Sequence, residues 1–500
     1  MSAPTLNQLS KKYNRIPLVR YTLADLDTPV SAYLKLANQP NTYLFESVHG
    51  GDKWGRYSII GLQAKTIVKI FGNNIQVSDN GTVIKNINDP NPFDWLENYQ
   101  KQFRVAPLQQ TTSINPKLDN FDLFTGGLVG FFAYDCIKLI EPKLANIQNQ
   151  VAKNPDILLM VSDEIVVFDT LRDKIYIVIM FNPELDGSLS VAQKRLDEVL
   201  AKLHQPLPKQ LSFTKTKLSE QDIKYSFKEQ DFKKAVNRIK EYIVAGDVMQ
   251  VVLAQKMQIP YKHKPFNVYR TLRSLNPSPY LFYVNLEGLQ IVGSSPEILV
   301  HLKNNKLTVR PLAGTRRRGK DEAEDSKLAQ ELLNDPKELA EHLMLIDLGR
   351  NDIGRVCQPG SVKMTETMQI EKYSHVMHIV SNVEGELKPN TSLFKALTST
   401  FPAGTLSGAP KIRAMEIIDE LEPNQRGIYG GAEGYCGWHD NLDTAIAIRT
   451  AVIQDNQLYV QAGAGIVFDS DPDLEWQETM NKARGIIKAA TIAADNFGDE

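Results

Sequence analysis

Cysteine is scarce: Cys136, Cys357 and Cys436 are the three thiols in a sequence of 500 residues. They are odd in number, far apart and form no Cys-x-x-Cys pair. A disulfide scaffold and a cysteine zinc site are therefore excluded, and reduced, packed thiols are expected. Long apolar runs are also missing, since nowhere do the ~18 consecutive apolar residues of a membrane span occur. The opening segment MSAPTLNQLSKKYNRIPLVR is basic but has no apolar stretch of the kind a secretory signal needs. The expectation is a cytoplasmic protein that does not associate with membranes. Charge of one sign is not in excess either: 57 Lys+Arg against 59 Asp+Glu leave −2, so nucleic acid is not an expected partner. The one basic run, Arg316-Arg-Arg-Gly-Lys320, is followed at once by Asp321, Glu322, Glu324 and Asp325 and reads as a solvated loop. His375 and His378 form an His-x-x-His without the glutamate of a zinc-binding helix, which sets that reading aside.

What is present is the content of a globular chain too long for one ordinary core. Thr66–Phe71 and Ile75–Val77 read as strands, with Asn80-Gly81 as a hairpin turn before Thr82, and Glu164–Thr170 with Lys174–Met180 reads as a second hairpin. A polar, proline-bearing stretch marks a boundary. It divides an N-terminal lobe, 1–205, from a larger lobe, 221–492, through a linker at 206–220. The larger lobe opens on an amphipathic helix with Phe232, Val236, Ile239 and Ile243 on one stripe, ended by Gly246. Strand runs then alternate with a few long helices, among them Val248–Ala254, Leu289–Gly293, Thr444–Ile453 and Leu458–Val467. Many strands with short turns predict an α+β fold of mainly antiparallel sheet with helices packed outside.

Two segments share a grammar: Asp335-Pro-Lys-Glu338-Leu-Ala-Glu341 and Asp471-Pro-Asp-Leu-Glu475-Trp-Gln-Glu478. In each, Asp can N-cap a helix with Pro at its first position, and two glutamates three apart share one face. First-turn acids are favoured by the helix dipole alone. Two such pairs in one lobe could also converge on a hard cation such as Mg²⁺. Alternation through Thr444–Ala451 places Arg449 among Ala445, Ala447 and Ala451, where it either clamps a ligand carboxylate or pairs with a structural one. Gly463-Ala-Gly465 lets backbone approach a ligand or marks a bulge. Gln250, on the face of Val248 and Val252, is either a structural hydrogen-bonder or part of a polar pocket.

Taken together, a series of motifs closely resembles the chorismate-utilising enzymes. They are Gly293-Ser-Ser-Pro-Glu297, Arg310-Pro-Leu-Ala-Gly-Thr-Arg316, the run from Glu341 to Asp352, Val376-Met-His378, Phe401-Pro-Ala-Gly-Thr405, Gly427-Ile-Tyr429 and Ala462-Gly-Ala-Gly465. The resemblance spans roughly residues 220–490 and implies large antiparallel sheets packed as a sandwich. It implies Mg²⁺ held mainly by Glu341 and Glu478, with Glu338 and Glu475 acting through waters. Substrate contacts are implied for Gly314, Thr315, Tyr429, Arg449, Gly463, Gly465 and Lys482, with Thr405 beside the reacting centre. Glu297 is implied as the acid that protonates the departing C4 hydroxyl, with His378 orienting or assisting it.

Members that add water tend to carry Lys where this sequence has Gln250, and members that make aminodeoxychorismate commonly carry Lys in place of Ala313. What remains resembles the anthranilate-forming lyases, which add ammonia at C2 and then eliminate pyruvate. Aminodeoxychorismate or isochorismate and salicylate synthesis are the alternatives, ahead of a non-catalytic tryptophan sensor. Leu44-Phe-Glu46-Ser47, Lys53 to Ser58 and Pro279-Tyr280-Leu281-Phe282 resemble the family's tryptophan-binding elements, by which the end product inhibits the first step. None of the cysteines lies in the Gly-x-Cys-x-Gly elbow of an amidotransferase. A separate glutamine amidotransferase subunit that delivers ammonia, joined in a heterotetramer, is therefore expected.

Overall fold

The structure is a computed structural model that describes residues 4–47, 55–145, 153–208, 218–373 and 376–495. Two 12-stranded antiparallel sheets lie face to face. The first runs from Ile16–Leu23 through Lys174–Phe181, Glu164–Asp169, Tyr57–Gly61, Thr42–Glu46, Tyr280–Leu286, Leu289–Ser295, Thr450–Gln454 and Gln457–Ile466 to Gln250–Pro260. The second runs from Leu312–Arg317 through Val376–Glu386, Lys306–Val309, Ile298–Lys303, Leu442–Ile446, Ala432–Gly437, Gly127–Phe132 and Ile157–Ser162 to the meander Thr66–Phe71, Asn74–Asp79 and Thr82–Asn88. Tyr43, Phe282 and Val284 of one sheet meet Val129, Phe131 and Ala445 of the other in an apolar layer between them. The outer face of the first sheet is closed by helices Pro29–Leu36, Leu189–Leu203, Pro265–Leu275 and Pro472–Asp495. The outer face of the second is closed mainly by Pro92–Lys101, Pro336–Gly354 and Leu393–Thr400. This is the α+β sandwich with outer helices that the sequence implies.

The local rules hold where they concern turns and caps. Asn80 and Gly81 both take positive φ between the paired strands Asn74–Asp79 and Thr82–Asn88, as a two-residue hairpin of this twist requires. Asp335 accepts from the Lys337 and Glu338 amides and so caps Pro336–Gly354, while Asp471 does the same for Pro472–Asp495 through the Asp473 and Leu474 amides. The amphipathic helix is Glu229–Val244, and Gly246 follows it at φ 83°. All three cysteines are free and buried. No helix among the described residues is long and apolar enough to cross a membrane.

Two expectations need correction. The single strand expected over 444–453 is two strands, Leu442–Ile446 in the second sheet and Thr450–Gln454 in the first, with Arg449 between them at φ 48°. Alternation of Ala and Ile reads as one strand, but it does not register a chain that leaves one sheet for the other. The lobes 1–205 and 221–492 are likewise not separate sheets. Residues before 206 supply strands to both, and Thr42–Glu46 pairs directly with Tyr280–Leu286. The proline-bearing stretch, most of which lies outside the described residues, therefore does not divide one sheet from the other, because strand pairing is non-local and leaves no trace in local composition.

One buried ion pair ties the strand Gln250–Pro260 to its surroundings. Arg426, 2% exposed, donates to both oxygens of Glu422, to the Leu406 carbonyl and to the Val252 carbonyl, and Glu422 also accepts from the Ala254 amide. Arg426→Ala leaves the Glu422 charge buried and uncompensated, and a loss of about 3–5 kcal/mol in urea unfolding is expected.

Candidate active site

Twice, side by side, the chain passes from one sheet to the other. Leu289–Ser295 of the first sheet continues into Ile298–Lys303 of the second, and Leu442–Ile446 of the second continues into Thr450–Gln454 of the first. The crossings are laced together: the Ile446 amide donates to the Glu297 carbonyl and the Ser294 amide to the Arg449 carbonyl. Glu297 and Arg449 are thus fixed at one seam, although ~150 residues separate them in sequence.

Glu297 is 6% exposed, and the Thr405 hydroxyl donates to its Oε1 at 3.0 Å. Burial pushes its carboxyl up to about 8, against the opposing pull of Thr405, Arg449 and Lys482. At neutral pH it carries a proton. The Arg449 guanidinium has no hydrogen-bond or ion-pair partner among the described residues, and a half-buried cation left in that state is suited to an incoming anion. His378 is packed with Nδ1 at 3.0 Å from the Gly314 carbonyl and 3.1 Å from the Thr315 hydroxyl. Burial and the charge of Arg449 hold it down to about 4, so the ring is neutral. A carbonyl only accepts, which puts the ring proton on Nδ1 and leaves Nε2 as a buried acceptor with no partner among the described residues. In this form His378 has no proton to give. Of the orienting and assisting roles that the resemblance implies for His378, this neutral form suits the orienting one.

The glycine-rich strand forms the opposite wall. Lys482 donates to the Gly463 carbonyl at 2.9 Å, and the Tyr429 hydroxyl lies 3.0 Å from where a Cβ on Gly463 would stand. A Cβ on Gly465 would lie 2.5 Å from Gln250 Nε2, so glycine is what admits that amide. Gln250 Nε2 in turn donates to Glu341 Oε1 at 3.4 Å. Gly314 has φ 67° and faces Glu338 Oε2 at 3.1 Å from a notional Cβ. The expected catalytic and substrate-binding residues thus fall into small contacting groups: Glu297 with Thr405, His378 with Gly314 and Thr315, Lys482 and Tyr429 with Gly463, and Gln250 with Gly465 and Glu341.

The four glutamates approach from helices Pro336–Gly354 and Pro472–Asp495. Burial and then the negative charge of Glu338 push the Glu341 carboxyl up, with Glu478 adding to it; burial and Glu478 likewise raise Glu475. Glu338 accepts from Arg316, and Glu478 pairs with Lys482 at 2.7 Å. Among the described residues no three acidic, His or Cys groups are already gathered as a closed cage. As a donor set, however, these are oxygen ligands whose mutual repulsion a hard divalent cation would relieve. Arg316 pairs with Asp335 and Glu338, Arg317 with Glu324 and Arg318 with Asp325, so the basic run is neutralised within the chain.

A separate cavity of about 760 Å³ lies between the sheets. Ser47, Pro279, Tyr280 and Phe282 line it, and Glu46 and Leu281 border it; Lys53 and His375 lie outside the described residues. Glu46 is among the lining residues, and its carboxylate has partners within the chain. Strand alternation sends Glu46 to the helix-covered face, where Arg273 donates to it at 2.9 and 3.1 Å and the Tyr269 hydroxyl also donates. Leu281 packs on that same face, whereas Phe282 faces the layer between the sheets.

Sequence reading also missed Glu422 and Arg426, whose spacing of four looks like an ordinary surface pair, and Glu433, which carries no motif signal. Buried, Glu422 and Arg426 hold the turn that presents Thr405.

Comparison with known proteins bears on all of this. A family model described as chorismate binding enzyme matches residues 52–488. Anthranilate synthase component 1 of Pseudomonas aeruginosa is 52% identical over 484 residues, 96% of each chain, and that of Aquifex aeolicus is 42% identical over 99% of each. Among solved structures, anthranilate synthase component I from Streptococcus pneumoniae aligns with TM-score 0.75 and 36% identity, covering 93% of this chain and 98% of that one. The menaquinone-specific isochorismate synthase of Escherichia coli shares the fold, with TM-score 0.70 at 20% identity. The chain belongs to the chorismate-binding enzyme family.

Proposed function

We propose that this chain is the chorismate-converting component of an anthranilate synthase, a lyase that joins chorismate and ammonia and releases anthranilate and pyruvate. The observation that carries the reading is a buried Glu297 fixed beside an Arg449 that has no partner among the described residues, with the Gln250 amide bonded to Glu341. Chorismate is a diacid, and one carboxylate suits Arg449, Lys482 and the Gly463–Gly465 backbone. The second suits Mg²⁺ held by Glu341 and Glu478, with Glu338 and Glu475 acting through waters; bound there, the ion supplies positive charge against that carboxylate. Hydroxide leaves poorly, so Glu297 donates its proton as the C4 oxygen departs as water and ammonia bonds to C2. His378, proton on Nδ1, offers Nε2 to orient that hydroxyl. Loss of the enolpyruvyl group as pyruvate, with a ring proton, then leaves the aromatic amine.

Gln250 decides the nucleophile in this reading. An amide cannot serve as a base at neutral pH, which water would need and ammonia does not. The buried cysteines, pushed upward by burial, offer no thiolate for releasing ammonia from glutamine, so a second, amidotransferase chain supplies it, and the name component 1 of the relatives is in keeping with that. The cavity between the sheets suits tryptophan as a feedback inhibitor, with Tyr280, Phe282 and Pro279 as apolar walls. A cytoplasmic location agrees with reduced thiols.

Incubated with chorismate and Mg²⁺, the purified chain is expected to form fluorescent anthranilate with ammonium salts but not with glutamine, and tryptophan is expected to suppress the signal. Pyruvate without an aromatic amine, or isochorismate by mass, would overturn the proposal. Since the acid acts in its protonated form, kcat/KM is expected to hold below pH 8 and to fall as pH rises through about 8. Glu297→Gln is expected to lower it by roughly 10²–10⁴-fold and remove that limb. Removing the divalent ion with chelator should abolish turnover, and Glu341→Gln should raise the Mg²⁺ needed for half-maximal rate by at least ~10-fold.

A further inference from the structure

Glu433 stands within the strand Ala432–Gly437, opposite Phe131 on one side and Ala445 on the other. It is 2% exposed, and neither carboxyl oxygen meets a partner among the described residues. The side chains opposite it belong to the apolar layer between the sheets. An apolar residue would fill such a position without penalty, whereas a buried carboxyl lacking a partner costs a few kcal/mol even when neutral, on the order of 1–3. The residue makes physical sense if its donor arrives with a ligand.

The space for that ligand adjoins it. Glu433 lines the 760 Å³ cavity, across from Tyr280 and Phe282. Several of the other lining carboxyls have partners: Glu46 in Arg273 and Tyr269, Asp443 in the Tyr280 hydroxyl at 2.8 Å, and Asp122 in Lys303. Asp443, His301 and Lys303 add polar groups to the lining, and the residues paired with Glu433 belong to the apolar layer.

We propose that Glu433 accepts a hydrogen bond from the ring N–H of an aromatic amino acid seated in this cavity, and so selects indole over rings of the same shape that lack the donor. This rests on the reading that the cavity takes tryptophan and adds to it the residue that reads the ring. Burial lifts the Glu433 carboxyl well above its usual range, so it stays uncharged and matches an uncharged ring donor. The zwitterionic end of the ligand matches the polar groups of the lining.

The test is calorimetric titration of the full chain with L-tryptophan and with L-3-benzothienylalanine, in which sulfur replaces the ring N–H in nearly the same shape. The unsubstituted protein is expected to bind tryptophan roughly 3–10-fold more tightly, the scale of one neutral hydrogen bond. Glu433→Gln, which keeps an acceptor oxygen, should retain the preference; Glu433→Val and Glu433→Leu should bind both ligands with similar affinity. Equal affinities in the unsubstituted protein, or a preference that survives Glu433→Val or Glu433→Leu, would overturn the proposal and leave the tryptophan reading standing. Should the unsubstituted protein bind neither amino acid, the tryptophan reading falls and the proposal with it. If neither apolar variant folds, the ratio in the unsubstituted protein decides, since a preference of about one indicates that no residue reads the ring N–H.

Discussion

The paired crossing of the chain between the sheets is the constraint on which the rest depends. Backbone hydrogen bonds from Ile446 to Glu297 and from Ser294 to Arg449 hold an acid and a cation at the same point without either side chain having to pair with the other. The placement of Glu297 and Arg449 is therefore set by main-chain geometry. Arg449 adopts a left-handed conformation that non-glycine residues rarely take, which is tolerated because the bonds on both sides dictate it.

Burial then assigns the chemistry. Removal from water discourages charge in either sense, so it keeps the proton on Glu297 and keeps one off His378. One environment thus favours a donor at Glu297 and an acceptor at His378. Lys482 ties its helix, Pro472–Asp495, to the glycine-rich strand through the Gly463 carbonyl and pairs with Glu478 one turn earlier on the same helix.

The fold class, the hairpin at Asn80-Gly81, both aspartate caps and the amphipathic helix at 229–244 were legible because they are set by neighbours in sequence. Motif resemblance marked nearly every residue that the seam gathers. The strand break at 447–449 was not legible, since the alternation of Ala and Ile persists while the backbone changes sheet. Nor was the direction of Glu46, which depends on the register of Thr42–Glu46 against Tyr280–Leu286 and on Arg273 arriving from a helix far along the chain. The exposure of Glu422, Arg426 and Glu433 is settled by the same distant packing, and a charged residue with no recognised motif reads as surface.

The splicing of both sheets from both halves of the sequence bears on how the molecule comes into being. During synthesis the early strands emerge without their neighbours: Thr42–Glu46 must wait for Tyr280–Leu286, and Gly127–Phe132 for Ala432–Gly437. Until then their unpaired edges can template association with another nascent chain. Assembly is therefore a late event that completes only when the C-terminal strands are available, and fragments cut near residue 206 inherit half-built sheets instead of working modules.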